Sequence, residues 1–168
     1  LGAHNRENAA LAAAALRVLG LSEENIRTGL EAFEPVEGRL QLLRELNGVR
    51  IYNDNNATTP EATAAALEAI EQPVVLIAGG ADKGLDLSVL VSAIRARCKK
   101  VVLAAGTGTE RLRAGLPEAE VYQGLAEALA AALAEAAEGD AVLFSPAFAS
   151  FGMFANEYDR NDRFVQAV

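Results

Sequence analysis

Apolar and polar positions along the chain follow two rhythms. Up to Glu34 the spacing is helical. Glu7 to Leu19 is alanine-rich, carries Leu11, Leu16, Val18 and Leu19, and stops at Gly20, which predicts a helix. Ser22 followed by Glu23 and Glu24 predicts the capped start of a second helix running to about Ala32, with Ile26, Leu30 and Phe33 as its apolar face. Neither helix is followed by a strand of its own, so both read as the last helices of a preceding domain. Glu34 to Gly38, with a proline and a glycine, reads as a linker and a hinge.

From Arg39 strands and helices alternate. Leu40 to Leu46 and Val49 to Asn53 flank Asn47-Gly48, a strong hairpin signal. Thr59-Pro60-Glu61 opens a helix to about Ile70, with Thr59 as N-cap and Pro60 at the first helical position. Val74 to Ala78 is a continuous apolar run, the mark of a central parallel strand. Ser88 to Arg97 predicts a helix, Val101 to Ala104 a strand, Glu110 to Ala114 a short helix and Val121 to Gln123 a weak strand. Leu125 to Ala137 predicts a helix, Ala141 to Phe144 the last parallel strand, and the chain ends in a helical region. The expected fold is α/β: a Rossmann-like, doubly wound, mostly parallel sheet with an antiparallel edge hairpin. The expected domains are 1–34, a partial helical tail, and 39–168.

In such sheets ligands bind at the carboxyl ends of the strands. Three loops there carry polar groups. Asp54 to Thr59 sets a carboxylate, two amides and threonine hydroxyls at a helix N-terminus. Gly79-Gly80-Ala81-Asp82-Lys83-Gly84 allows close backbone approach and places a cation, without the spacing of a Walker loop. Ser145-Pro146-Ala147-Phe148-Ala149-Ser150 offers small residues and two hydroxyls suited to a ligand carboxylate. Ala104 to Thr109 resembles half a dinucleotide fingerprint but reads as a turn and helix cap. By themselves these loops point to a small acidic substrate and name no reaction.

Composition narrows the classes. The 168 residues are 51% hydrophobic, enough for a core in one domain. A net charge of −8 argues against nucleic acid as a partner. No run of about 20 apolar residues is present, so no membrane insertion is expected. One cysteine, Cys98, and one histidine, His4, exclude an internal disulfide and a zinc site of usual spacing. Cys98 reads as a small buried hydrophobe, and a single thiol suits a reducing, cytoplasmic setting. The start at Leu1 instead of Met suggests a portion of a longer protein.

Taken in order, His4-Asn5-Arg6-Glu7-Asn8, Gly38-Arg39, Asn53-Asp54 with Ala57-Thr58, Gly79 to Gly84 and Ser145 to Phe154 resemble the Mur ligase family over nearly the whole chain. The resemblance is strongest to the branch that adds D-glutamate to UDP-N-acetylmuramoyl-L-alanine. It implies a tail of the central ATPase domain followed by the amino-acid-binding domain. It implies an ATP-dependent amide ligase of peptidoglycan precursor synthesis working through an acyl phosphate, with Mg²⁺ ligands and the P-loop in preceding domains of the same chain. It further implies that Asn5, Asn8, Arg39 and Asp54 serve ATP. Thr58, Lys83, Ser150 and the Phe151 backbone would hold D-glutamate. This portion alone would be inactive. Asn55-Asn56 stand where the family often has Ser-Lys, Gly38 where a histidine is common, and Glu157 where an aromatic residue is common. Two alternatives are a related amide ligase, including one that adds glutamates to folate, and a non-catalytic Rossmann-like binding module.

Overall fold

The computed structural model describes residues 3–34 and 36–168, with the side chains of Ala3 and His4 outside that description. The expected roles of the Leu1 start, the His4 side chain and the linker's Pro35 therefore lie outside the described residues. The chain separates into two compact units, Leu1–Val36 and Glu37–Val168.

The first unit contains α1 (Ala3–Val18) and α2 (Glu23–Glu31). At the end of α1 Leu21 N–H donates to Leu16 O at 3.1 Å and Gly20 N–H to Arg17 O at 3.0 Å, a Schellman closure that requires the positive φ of Gly20. Ser22 Oγ then accepts from Asn25 N–H at 3.3 Å and caps α2. The first helix starts at Ala3 instead of Glu7, since no Pro or Gly interrupts residues 3–6. The expected apolar face of α2 is only partly formed. Ile26 is buried, whereas Leu30 is exposed and Phe33 lies beyond Ala32, the C-cap, with 62% exposure.

The second unit is a six-stranded sheet of order β1-β2-β6-β3-β4-β5. Its strands are β1 (Gln41–Leu46), β2 (Val49–Asn53), β3 (Val74–Ala78), β4 (Cys98–Ala104), β5 (Glu120–Tyr122) and β6 (Ala141–Phe144). β1 pairs antiparallel with β2 through Asn47-Gly48, both at positive φ, and every other pairing is parallel. The helices are α3 (Pro60–Ala69), α4 (Ser88–Arg97), α5 (Thr107–Gly115), α6 (Leu125–Glu135) and α7 (Glu157–Ala167).

Strand alternation sorts the core into two layers. Val74, Leu76, Ala78, Leu103 and Leu143 meet Leu67 of α3, Leu90 of α4 and Leu112 of α5. Val75, Ile77, Val102, Val142 and Phe144 meet Leu129 of α6 and Phe164 of α7. Helices thus cover both faces, and β3 and β6 are buried along their whole length. The chain runs outward from β3 through β4 to β5 and returns to insert β6 between β2 and β3. That insertion is the topological switch point, where a crevice opens beyond the carboxyl ends of the strands.

Several elements differ in extent from the sequence expectation. α5 begins at Thr107, so Thr107 and Gly108 are helical instead of part of a turn. A Cβ on Gly108 would strike the Phe148 ring, and glycine lets the helix start pack there. β4 begins at Cys98 without a loop after α4, and β5 lies one residue earlier than expected. Cys98 sits at that junction half-buried, its thiol pushed up to about 12 by burial, which leaves it unreactive.

Candidate functional site

Backbone bonds interlock three loops at the carboxyl edge of the sheet. Ala147 N–H donates to Ala57 O at 2.9 Å, joining the loop after β6 to the loop after β2. Ala81 and Ala149 form an isolated two-way bridge, Ala81 N–H to Ala149 O at 2.9 Å and Ala149 N–H to Ala81 O at 3.2 Å. The glycines make this approach possible. A Cβ on Gly79 would strike Ala104 O and one on Gly80 would strike Ala149 O, and both residues lie at positive φ.

Lys83 crosses from its loop to the next. Its Nζ donates to Thr58 O at 2.9 Å and to Thr58 Oγ1 at 3.0 Å. It enters no ion pair among the described residues, because the neighbouring Asp82 is occupied. Asp82 Oδ1 accepts from Gly84 N–H at 2.9 Å and from Arg111 Nη1 at 2.6 Å, and these bonds, the Gly84 one foremost, hold its carboxyl below the usual range. Arg111 Nη2 also donates to Leu85 O at 3.0 Å, and Thr107 Oγ1 accepts from Asp82 N–H at 3.0 Å. The start of α5 therefore grips the 82–85 segment and leaves the exposed Lys83 ammonium with its charge uncompensated. A third ammonium proton remains for an incoming carboxylate.

Asp54 faces inward, 6% exposed. Its Oδ1 accepts from Leu40 N–H at 3.1 Å and its Oδ2 from the Ser145 hydroxyl at 2.7 Å. Ser145 is fully buried and also lies 2.8 Å from Thr63 Oγ1, so one of the two hydroxyls expected to receive a ligand is committed to the core. Burial pushes the Asp54 carboxyl up to about 6, against the smaller opposing effects of the Ser145 and Leu40 bonds and of Arg39. The folded state binds this proton more tightly than the unfolded chain, whose aspartate titrates near 4. The contribution is therefore fully present below about pH 4, and is lost as pH rises through about 6. Asp54→Asn should remove this dependence. The stability of the unsubstituted chain relative to the variant should fall by about 2 kcal/mol between pH 4 and pH 7, read by urea unfolding. A difference constant over that range would show Asp54 to titrate normally.

Of the other expected site residues, Ser150 is buried at the turn after β6, and Phe151 is exposed beside it. Thr58 is half-buried and Arg39 is exposed just after Gly38. Asn5 and Asn8 lie on α1 in the first unit, three residues apart on one exposed face. The structure thus brings Thr58, Lys83, Ser150 and Phe151 onto interlocked loops of the second unit, with Asp54 behind Leu40.

Sequence reasoning missed the polar support under these loops. Arg160 of α7 is 1% exposed and donates from Nε to Asn55 Oδ1 at 2.7 Å, from Nη2 to Asn55 O at 2.9 Å and from Nη1 to Phe148 O at 3.0 Å. Asn161 accepts from Asn53 Nδ2 at 2.8 Å and donates to Glu37 Oε1 at 2.9 Å. Asn56 Nδ2 donates to Glu37 O at 2.9 Å, and Asn56 N–H donates to Gly38 O at 2.9 Å. A signal existed: Arg160 stands four residues before Phe164, so it shares the helix face that enters the core.

A Rossmann-like α/β unit with a cationic, loop-built grip at its switch point is the class that this fold and site define. The profile described as "Mur ligase, glutamate ligase domain" matches residues 38–148, and the chain belongs to the Mur ligase family. Two relatives named UDP-N-acetylmuramoylalanine–D-glutamate ligase align with 99% of this chain. That of Roseiflexus sp. is 46% identical over 174 residues, and that of Latilactobacillus sakei 40% over 171. The chain spans 37% and 38% of the length of these relatives. Among solved structures, E. coli FolC in complex with ADP superposes with a TM-score of 0.66 at 28% identity over 84% of this chain and 36% of its own. MurF ligase from Thermotoga maritima in complex with ADP gives 0.68 at 18% identity over 99% of this chain and 38% of its own, a likeness of fold. These neighbours agree with the expected fold class. No helix among the described residues is long and apolar enough to cross a membrane.

Proposed function

We propose that this chain is the C-terminal part of an ATP-dependent amide ligase that joins D-glutamate to UDP-N-acetylmuramoyl-L-alanine in peptidoglycan precursor synthesis, in the cytoplasm. Residues 1–34 would be the last helices of the central ATPase domain, and 39–168 the amino-acid-binding domain. ATP would phosphorylate the carboxylate of the nucleotide-linked alanine. The D-glutamate amine would then attack that acyl phosphate and expel phosphate. The work of the second unit is to hold the amine in line, which is catalysis by positioning.

The observation that carries this reading is the Lys83–Thr58 contact. It joins two candidate acid-binding residues from separate loops and presents an ammonium without a carboxylate partner among the described residues. Thr58, Lys83, Ser150 and the Phe151 backbone would hold the two carboxylates. Asn5, Asn8 and Arg39 would serve ATP. Asp54, with both oxygens engaged, would order the Arg39–Leu40 segment that meets the nucleotide. ATP would act with Mg²⁺, whose ligands, like the P-loop, would lie in preceding domains of the same chain. The names of the relatives favour D-glutamate over the folate-linked alternative.

The test is turnover by the complete ligase that carries this chain. Phosphate release from ATP should require both UDP-N-acetylmuramoyl-L-alanine and D-glutamate. L-Lysine, meso-diaminopimelate and a folate acceptor with L-glutamate should each fail to support it. Turnover with the folate pair, and none with D-glutamate, would replace this reading by the alternative one.

A further inference from the structure

We propose that Arg160 is a positioning residue for the amino-acid substrate: one buried guanidinium holds the Asn55–Thr58 loop and the Phe148–Phe151 turn in fixed mutual register. This rests on the reading of those two segments as the acid-binding loops.

The geometry is specific to an arginine. Arg160 projects from α7 to two loops, one 12 residues and the other 105 residues earlier in the chain. Two of its nitrogens meet the side chain and the carbonyl of Asn55, and the third meets Phe148 O. Asn55 lies three residues before Thr58, and Phe148 lies two before Ser150. Asn55 is fixed from its other end as well, its Nδ2 donating to Glu157 O at 3.1 Å and its backbone N–H to Asn53 Oδ1 at 3.1 Å. A planar fork of five donors can bridge three acceptors on two segments, whereas a lysine ammonium acts as a single point.

Stability alone is a poor account of this residue. Arg160 is in no ion pair among the described residues, and a cation taken out of water without a carboxylate costs more than an apolar side chain of similar volume. Of the three buried residues of α7, Phe164 enters the apolar core, whereas Arg160 and Asn161 are engaged in hydrogen bonds to loops. What the arginine does that an apolar residue cannot is fix the spacing of two loops that must grip opposite ends of one small dicarboxylate.

The experiment uses the complete ligase with three variants, Lys83→Ala, Arg160→Lys and Asn55→Ala, with separate KM and kcat values and amide hydrogen exchange. Arg160→Lys keeps the charge and loses the bridge. It should raise the KM for D-glutamate roughly 10- to 100-fold, while the KM for ATP stays within about twofold. Asn55→Ala removes one of the three bonds and leaves Arg160 in place, so it stands in if the lysine variant folds poorly. It should raise the same KM by a smaller factor and speed exchange at Phe148 to Phe154, a segment it reaches through Arg160. If Lys83→Ala raises the D-glutamate KM and neither of the other variants does, the positioning role is overturned while the acid-binding reading stands. If Lys83→Ala leaves that KM unchanged, the acid-binding reading itself has failed and the proposal falls with it. A parallel change of every KM and kcat, matched by a loss of folded protein, would make Arg160 purely structural and also overturn it.

Discussion

Lys83→Ala in the complete ligase should raise the KM for D-glutamate by roughly 30- to 1000-fold. Losing a charged hydrogen bond to a substrate carboxylate costs on the order of 2–4 kcal/mol. The KM for ATP should change far less, because the proposed reading gives Lys83 to the amino acid and not to the nucleotide. The folded state should be nearly unaffected, since the ammonium is exposed and in no ion pair among the described residues. Loss of the Thr58 contacts removes only surface hydrogen bonds, each modest in net worth. Initial-rate kinetics with D-glutamate varied at saturating ATP gives the answer, and unchanged values would place Lys83 outside the site.

Phe164→Ala should cost about 4 kcal/mol of stability, the usual loss for a buried phenylalanine truncated in a packed core. Phe164 is fully buried, and its ring stacks on Phe144 with centroids 4.4 Å apart and planes at 28°. It is the apolar anchor of α7, so the loss should not stay local. Arg160 and Asn161 ride on the same helix, and their bonds to Asn55, Phe148, Asn53 and Glu37 should loosen with it. Urea unfolding of the chain measures the first effect, and faster amide exchange along α7 the second. Phe164→Leu, which keeps most of the volume, should cost about 1.5 kcal/mol or less. A loss below about 1 kcal/mol for the alanine variant would mean that the sheet face closes without α7.

Most of the fold was legible because each element carried its own local physics. Thr59 and Pro60 predicted the start of α3, and Thr59 Oγ1 accepts from Ala62 N–H at 3.3 Å. The unbroken apolar run Val74 to Ala78 predicted a central strand, and β3 lies between β6 and β4. Asn47-Gly48 predicted the edge hairpin. Boundaries were less legible where tertiary contacts set them. Gly108 lies within α5 against the Phe148 ring, with no room for a Cβ, a contact that no local signal announces.

The candidate site divides in the same way. Loops at strand ends, glycines that permit close approach, and a lysine among them are local features, and the order of motifs carried the family. Which side chains face a ligand and which face the core was not local. Asp54, Ser145 and Ser150 look alike in sequence, as polar residues in the loops that follow strands. The structure commits the first two to each other, since burial leaves no water to satisfy them and each needs a protein partner. Arg160 stood in a charged stretch, Glu157 to Arg163, where its spacing of four from Phe164 was a local pointer inward that named no partner. Only the packing of α7, with Phe164 driven into the sheet, turned that arginine inward to two loops more than ten residues away in sequence. The sequence by itself thus determined the elements, their order and the family, because propensity, capping and alternation act within a few residues. The tertiary structure alone decided which polar groups became buried support and which stayed exposed, because burial and hydrogen-bond satisfaction are settled between segments distant in the chain.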